Sequence, residues 1–157
     1  MLCGAADRVK RLLVLCTHNS ARSQMAEGWF RRLAAEAALD AEIWSAGTEK
    51  TLVKPPAIEV MGEIGIQLSG HWSKTMDEVP QLNEMDAVIT VCDSANQSCP
   101  LVLGNTRRFH VSLPDPSGHD LERWRQSRDQ VGRVMKVFVE ALKAGGWPTA
   151  EALEQAK

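Results

Sequence analysis

Tyrosine is missing from the 157-residue chain, although tryptophan occurs five times. Taken alone that imbalance carries no function, but any aromatic wall around a ligand would have to come from tryptophan. Cysteine is scarce too: Cys3, Cys16, Cys92 and Cys99 are too few and too unevenly spaced for a secreted disulfide scaffold. A chain of this length buries roughly 68–70% of the surface its unfolded form exposes, so it needs no staples. The thiols are therefore read first as chemistry. No apolar run approaches the roughly 18 residues of a membrane span. Asp7, Arg8, Lys10 and Arg11 stand where a secretory signal would place its apolar stretch, which makes the cytoplasm the expected compartment. Neither charge dominates: 18 Lys and Arg face 20 Asp and Glu, a formal net charge of −2. That balance argues against a dedicated nucleic-acid binder. Without repeats, low-complexity tracts or a Gly/Ser-rich linker, residues 1–157 read as a single domain.

What is present is an alternation of apolar runs and helical periodicities. Leu12-Leu13-Val14-Leu15 is a continuous run, suited to a strand buried on both faces. From Met25, the residues Trp29, Phe30, Leu33, Ala34 and Ala37 keep helical spacing until Asp40. Ile43 to Ala46, stopped by Gly47, reads as a second strand, and Pro55-Pro56 open a short helix through Val60 and Met61. Ala87 to Val91 is a third strand, and Arg108 to Val111 a fourth on a weaker pattern. Val131, Val134, Met135, Phe138, Val139 and Leu142 predict the last helix. This order implies an α/β fold, a parallel sheet covered by helices, with functional groups at the carboxyl ends of its strands.

At the first such end stands Cys16-Thr17-His18-Asn19-Ser20-Ala21-Arg22-Ser23. A thiol beside the positive end of a helix and an arginine is favoured as thiolate. The same backbone N–H groups, with the guanidinium fork, suit a tetrahedral oxyanion. The plainer reading makes Cys16 a small core residue and Arg22 a solvated helix residue. The strand–loop–helix setting favours the functional reading. A Walker A loop is excluded, because its glycine frame and lysine are absent.

A cysteine, five residues and Arg-Ser after the first strand resemble the nucleophile loop of the low-molecular-weight protein tyrosine phosphatase superfamily. Leu113-Pro114-Asp115-Pro116 resembles that family's general-acid loop, although its composition also fits a simple turn. The likeness runs from about Arg11 to Leu142. It implies a four-stranded parallel sheet flanked by helices, with Cys16 as nucleophile, Arg22 as oxyanion ligand and Asp115 as acid. It also implies that Ser23 hydrogen-bonds the nucleophile and that Asn19 shapes the loop.

Two further thiols divide the family. The segment Cys92-Asp93-Ser94-Ala95-Asn96-Gln97-Ser98-Cys99-Pro100 lies just past the third strand, on the sheet edge where Cys16 opens. It resembles the thioredoxin-coupled arsenate reductases. That resemblance implies an arsenate adduct on Cys16, attack by Cys92, resolution by Cys99 and regeneration by thioredoxin or another thiol reductant, in a monomer without a cofactor. The alternative is a phosphatase acting on phosphotyrosine or small phosphate monoesters, and weak phosphatase activity is compatible with both. Two departures weigh against that alternative: Ala21 stands where the phosphatases usually carry a second cysteine, and Ser117-Gly118 follow Asp-Pro where tyrosines would line an aryl pocket. A non-catalytic thiol sensor is a third class, disfavoured because neither nucleophile nor acid is missing.

Some reductases of this kind bind potassium at residues matched here by Asn19, Glu27 and Ser45. Lys74 replaces the family's aspartate, so its ammonium is expected either to stand in for the cation beside Glu27 or to be a surface lysine; no metal is expected. Cys92, Cys99, His110 and His119 match no structural zinc spacing. Arg123, Arg125, Arg128 and Arg133, interleaved with Glu122 and Asp129, read as a solvated face, the tryptophans as core, and Cys3 as a tail thiol.

Overall fold

A computed structural model describes residues 9–19, 21–49, 51–68, 70–92 and 106–157. Four parallel strands form one sheet in the order β2-β1-β3-β4: β1 (Lys10–Cys16), β2 (Ala41–Gly47), β3 (Ala87–Thr90) and β4 (Arg107–His110). Central β1 pairs with β2 from Lys10↔Ala41 to Cys16↔Gly47, and with β3 from Leu12↔Ala87 to Leu15↔Thr90. Leu12 to Leu15 and Ala87 to Ile89 are buried, as a strand covered on both faces requires. Edge strand β4 is exposed except for half-buried Phe109, and its Arg107 and Arg108 guard the open side against further pairing.

The helices are α1 (Arg22–Glu36), α2 (Pro55–Glu63), α3 (Leu121–Lys143) and α4 (Ala150–Ala156). Pro55 and Pro56 occupy the first turn of α2, where a missing N–H costs nothing. Asp120 caps α3 by accepting the Arg123 N–H at 3.0 Å. Helix α1 starts at Arg22 rather than Met25, so that arginine is its first residue. Helix α3 is twice as long as its apolar stripe alone suggested, because its first turns are held by charge. Nor is it the last helix: α4 follows, capped by Thr149 and anchored by buried Leu153.

Arg123 and Arg133 of α3 are exposed, as a solvated face requires, whereas Arg125 and Arg128 are half-buried. Arg125 and Arg128 reach Glu63 of α2 at 2.8 and 2.9 Å, and Arg128 also donates to the Val60 carbonyl, so two helices are tied by one carboxylate. Trp124 is core, Trp29, Trp44 and Trp147 pack partly buried against it, and Trp72 is exposed. Cys3 lies outside the described residues.

Candidate active site

Strand β1 delivers Cys16 to the sheet edge as a buried thiol, and the chain turns through Thr17, His18 and Asn19 into α1. The turn requires Asn19 to take a left-handed conformation (φ 50°), which an Asn side chain tolerates. Its amide fixes the loop three ways: Nδ2 donates to Ser23 Oγ at 2.9 Å, and Oδ1 accepts from Gln24 Nε2 and from the Lys74 N–H, both at 3.0 Å. Ser23 Oγ in turn lies 2.9 Å from Cys16 Sγ. Because Nδ2 already donates to that hydroxyl, the serine hydrogen is free to point at sulfur, which stabilises a thiolate.

Other segments brace the loop from outside. Ser73 Oγ donates to the His18 carbonyl at 2.8 Å, and the Thr17 carbonyl accepts from the Glu49 N–H at 2.9 Å. Gly47, at the end of β2, leaves no room for a side chain: a Cβ there would sit 2.6 Å from the Thr17 carbonyl oxygen. Ser20 lies outside the described residues.

Helix α1 begins without a side-chain cap and without an acidic residue in its first turn, leaving its N–H groups to a ligand. Arg22 Nη1 donates to the Leu113 carbonyl at 2.7 Å, and Nη2 lies 3.6 Å from Asp115 Oδ2. Arg22 Nε is buried with no partner among the described residues. An orphaned donor of this kind costs about 1–3 kcal/mol unless something accepts from it. A bound oxyanion is the natural acceptor.

Cys16, His18, Ala21, Arg22, Lys54, Asp115 and Ser117 line one cavity of about 160 Å³. Burial raises the Asp115 carboxyl pKa, but the Ser117 N–H and hydroxyl and the charges of Arg22 and Lys54 outweigh it and hold the group below its ordinary value. Asp115 is thus an ionised carboxylate in the open loop. Cys92 is buried, and its Sγ lies 3.3 Å from the Oγ1 of Thr17, the residue that follows Cys16. Cys99 falls outside the described residues.

The residues matched to the potassium site, with Lys74, form one hydrogen-bonded and ion-paired cluster. Glu27, buried, accepts from Ser45 Oγ and faces Arg31 at 2.8 Å, His71 at 3.8 Å and Lys74 Nζ at 3.9 Å. Asn19 Oδ1 already accepts two N–H groups, so these residues do not offer a metal an open oxygen cage. Lys74 is 2% exposed and therefore no surface lysine. Its Nζ also donates to the Trp72 carbonyl at 3.2 Å, and burial lowers its pKa against the pull of Glu27. Burial also lowers the pKa of His71, whose Nδ1 lies 2.9 Å from Gln24 Oε1. His71, Ser73 and Lys54 were not singled out by the sequence, since only the folding of distant segments onto the loop brings them there, and adjacent Gln24 shows its role only through its bonds to Asn19, Trp72 and His71.

A thiol, a guanidinium and uncapped helix N–H groups at the carboxyl edge of a parallel sheet are the parts that cysteine-based chemistry on an oxyanion requires. The chain belongs to the low molecular weight phosphotyrosine protein phosphatase family, whose model matches residues 11–146. It is 37% identical over 131 residues to arsenate reductase 2 of Staphylococcus saprophyticus subsp. saprophyticus, spanning 83% of this chain and 97% of that protein. Among solved structures it resembles an arsenate reductase in the phosphate binding state (TM-score 0.67, 34% identity, 87% of this chain and 98% of that one). It also resembles the low molecular weight protein tyrosine phosphatase of T. tengcongensis (TM-score 0.75, 27% identity, 83% and 98%).

Proposed function

We propose that the protein is an arsenate reductase in which Cys16 bonds arsenic and Cys92 and Cys99 carry the electrons. The observation that carries this reading over hydrolysis is the buried Cys92 thiol against Thr17, one residue from the nucleophile. A phosphatase needs no second thiol there. The likeness to curated arsenate reductases supports it.

Arsenate enters the loop with its oxygens on the N–H groups of α1 and on Arg22, taking up the orphaned Nε hydrogen. Its negative charge reverses the field that keeps Asp115 ionised, so Asp115 can gain a proton on binding and give it to the departing oxygen. The Cys16 thiolate displaces that oxygen as water, forming an S–As bond. Cys92 as thiolate then attacks Cys16 sulfur. A disulfide forms, the S–As bond breaks with its electron pair left on arsenic, and arsenic(V) leaves as arsenite. Cys99 attacks Cys92 and releases Cys16 as thiolate, a good leaving group. Thioredoxin, as a dithiol, reduces the Cys92–Cys99 disulfide and takes up the oxidation. Lys74 beside Glu27 stands in for a bound cation, and the chain acts as a cytoplasmic monomer with weak phosphatase activity at most.

The test is arsenate-dependent NADPH oxidation with thioredoxin and thioredoxin reductase. Cys92→Ser and Cys99→Ser are each expected to lose steady turnover, at least 100-fold below wild type. Turnover that survives both substitutions overturns the relay.

A further inference from the structure

The oxyanion cavity contains a charge that the proposed reaction does not use. Lys54 lines it together with Cys16, Arg22 and Asp115. The lysine stands immediately before α2 in an extended conformation, its carbonyl accepting the Ala57 and Ile58 N–H groups at 3.0 and 3.3 Å, and two prolines follow it. Its main chain is therefore a rigid anchor on the cavity wall. Among the described residues no carboxylate lies within 4 Å of its ammonium, whereas Arg22 has Asp115 at 3.6 Å and the Leu113 carbonyl at 2.7 Å. Lys54 is nonetheless close enough to help hold the Asp115 carboxyl ionised.

The loop faces a tetrahedral anion from one side only. An anion with three oxygens on the helix N–H groups and Arg22 would direct its fourth away from them, into the part of the cavity lined by Asp115. Lys54 lines the same cavity and is close enough to Asp115 to act on its carboxyl, so its ammonium is available to that fourth oxygen. For a bare oxyanion the fourth oxygen is small and polar, and an ammonium can donate to it. For an aryl ester that oxygen carries a ring, which would have to displace water from a charged ammonium in a cavity of about 160 Å³.

We propose that Lys54 is a specificity-determining residue, a second cation that selects bare, doubly charged tetrahedral oxyanions over their aryl esters. The inference deepens the reading of the site given above and rests on it for the identity of the reaction. Binding of inorganic phosphate judges it separately.

The probe is phosphate protection of Cys16 against iodoacetamide, read on the Cys16 peptide for wild type, Lys54→Met and Lys54→Arg. Far-ultraviolet circular dichroism and the urea midpoint verify that each variant is folded. Loss of one cation at contact distance is expected to weaken phosphate protection about tenfold in Lys54→Met. Lys54→Arg should stay within about threefold of wild type, and added salt should shrink the difference, as screening requires. In Lys54→Met the ratio of kcat/KM for arsenate reduction to that for p-nitrophenyl phosphate hydrolysis should fall about tenfold. Equal protection in wild type and Lys54→Met, or Lys54→Arg behaving like Lys54→Met, overturns the proposal. A wild type that binds phosphate but does not reduce arsenate would sink the reductase reading while the protection data still decide the role of Lys54.

Discussion

Asn19 shows how much of the site one side chain supports. It is fully buried, adopts a left-handed backbone and joins the nucleophile's serine to Gln24 and to the Lys74 main chain. Asn19→Ala removes three hydrogen bonds and leaves a β-carbon in a conformation costing roughly 1–2 kcal/mol for an ordinary residue. A loss of about 2–4 kcal/mol in urea unfolding is expected, with kcat/KM reduced about 100-fold by misplacement of the loop. Asn19→Gly loses the same bonds without the backbone penalty, so it should be about 1 kcal/mol more stable than the alanine variant. Equal stabilities for the two would show that the left-handed turn stores no strain. At this scale Cys16, Arg22, Ser23 and Asn19 were legible because they are contiguous and their spacing carries the chemistry. Lys54, His71 and Ser73 were not, because each reaches the loop from a separate segment and no periodicity marks it; Gln24 is contiguous with the loop, but its bonds to Asn19, Trp72 and His71 appear only once those segments fold together.

Helix contacts follow a similar division. The interface between α1 and α3 depends on Gly132, where an added Cβ would lie 2.6 Å from the Trp29 ring. That ring cannot swing away freely, because its Nε1 donates to the Arg128 carbonyl at 2.9 Å. Gly132→Ala should therefore destabilise the fold by about 1–3 kcal/mol despite alanine's better helix propensity, which is worth about 1 kcal/mol. Paired with Trp29→Ala, the same substitution should become neutral or stabilising, a coupling measurable in a double-mutant cycle. Independent effects in that cycle would rule out the wedge. The apolar stripe from Val131 to Leu142 made the C-terminal half of α3 readable. Its N-terminal half is held by buried Trp124 and by Arg125 and Arg128 on Glu63, the latter an ion-pair contact across 62 and 65 residues that looks in sequence like ordinary surface charge. Helix α4, seven residues held by one cap and one buried leucine, is too short for periodicity to reveal it.

Across the whole molecule, buried strands and alternating elements made the parallel sheet legible, whereas the electrostatics were hidden in the net charge of −2. Locally the balance is far from neutral: Glu27 is surrounded by Arg31, His71 and Lys74. The sign of the resulting pH dependence follows from protonation in the two states. His71 is held below its ordinary pKa of 6.5, chiefly by burial and then by Arg31 and Lys74 against the opposing pull of Glu27. Below pH 6.5 the unfolded chain therefore binds a proton that the folded chain resists, and stability falls as pH drops through that window. One such proton sets a slope of at most about 1.4 kcal/mol per pH unit. Urea unfolding between pH 7.5 and 5.5 should show wild type losing stability more steeply than His71→Gln, whose amide can still donate to Gln24. Lys74 follows the same rule at higher pH: its lowered pKa means that stability rises as pH climbs toward 10.5, and Lys74→Met should lack that rise. With tyrosine missing, no phenol adds to this second measurement, and the contributions of the thiols and the other lysines cancel in the comparison of wild type with Lys74→Met. Parallel pH profiles for wild type and both variants would mean that the cluster around Glu27 exchanges no protons on unfolding.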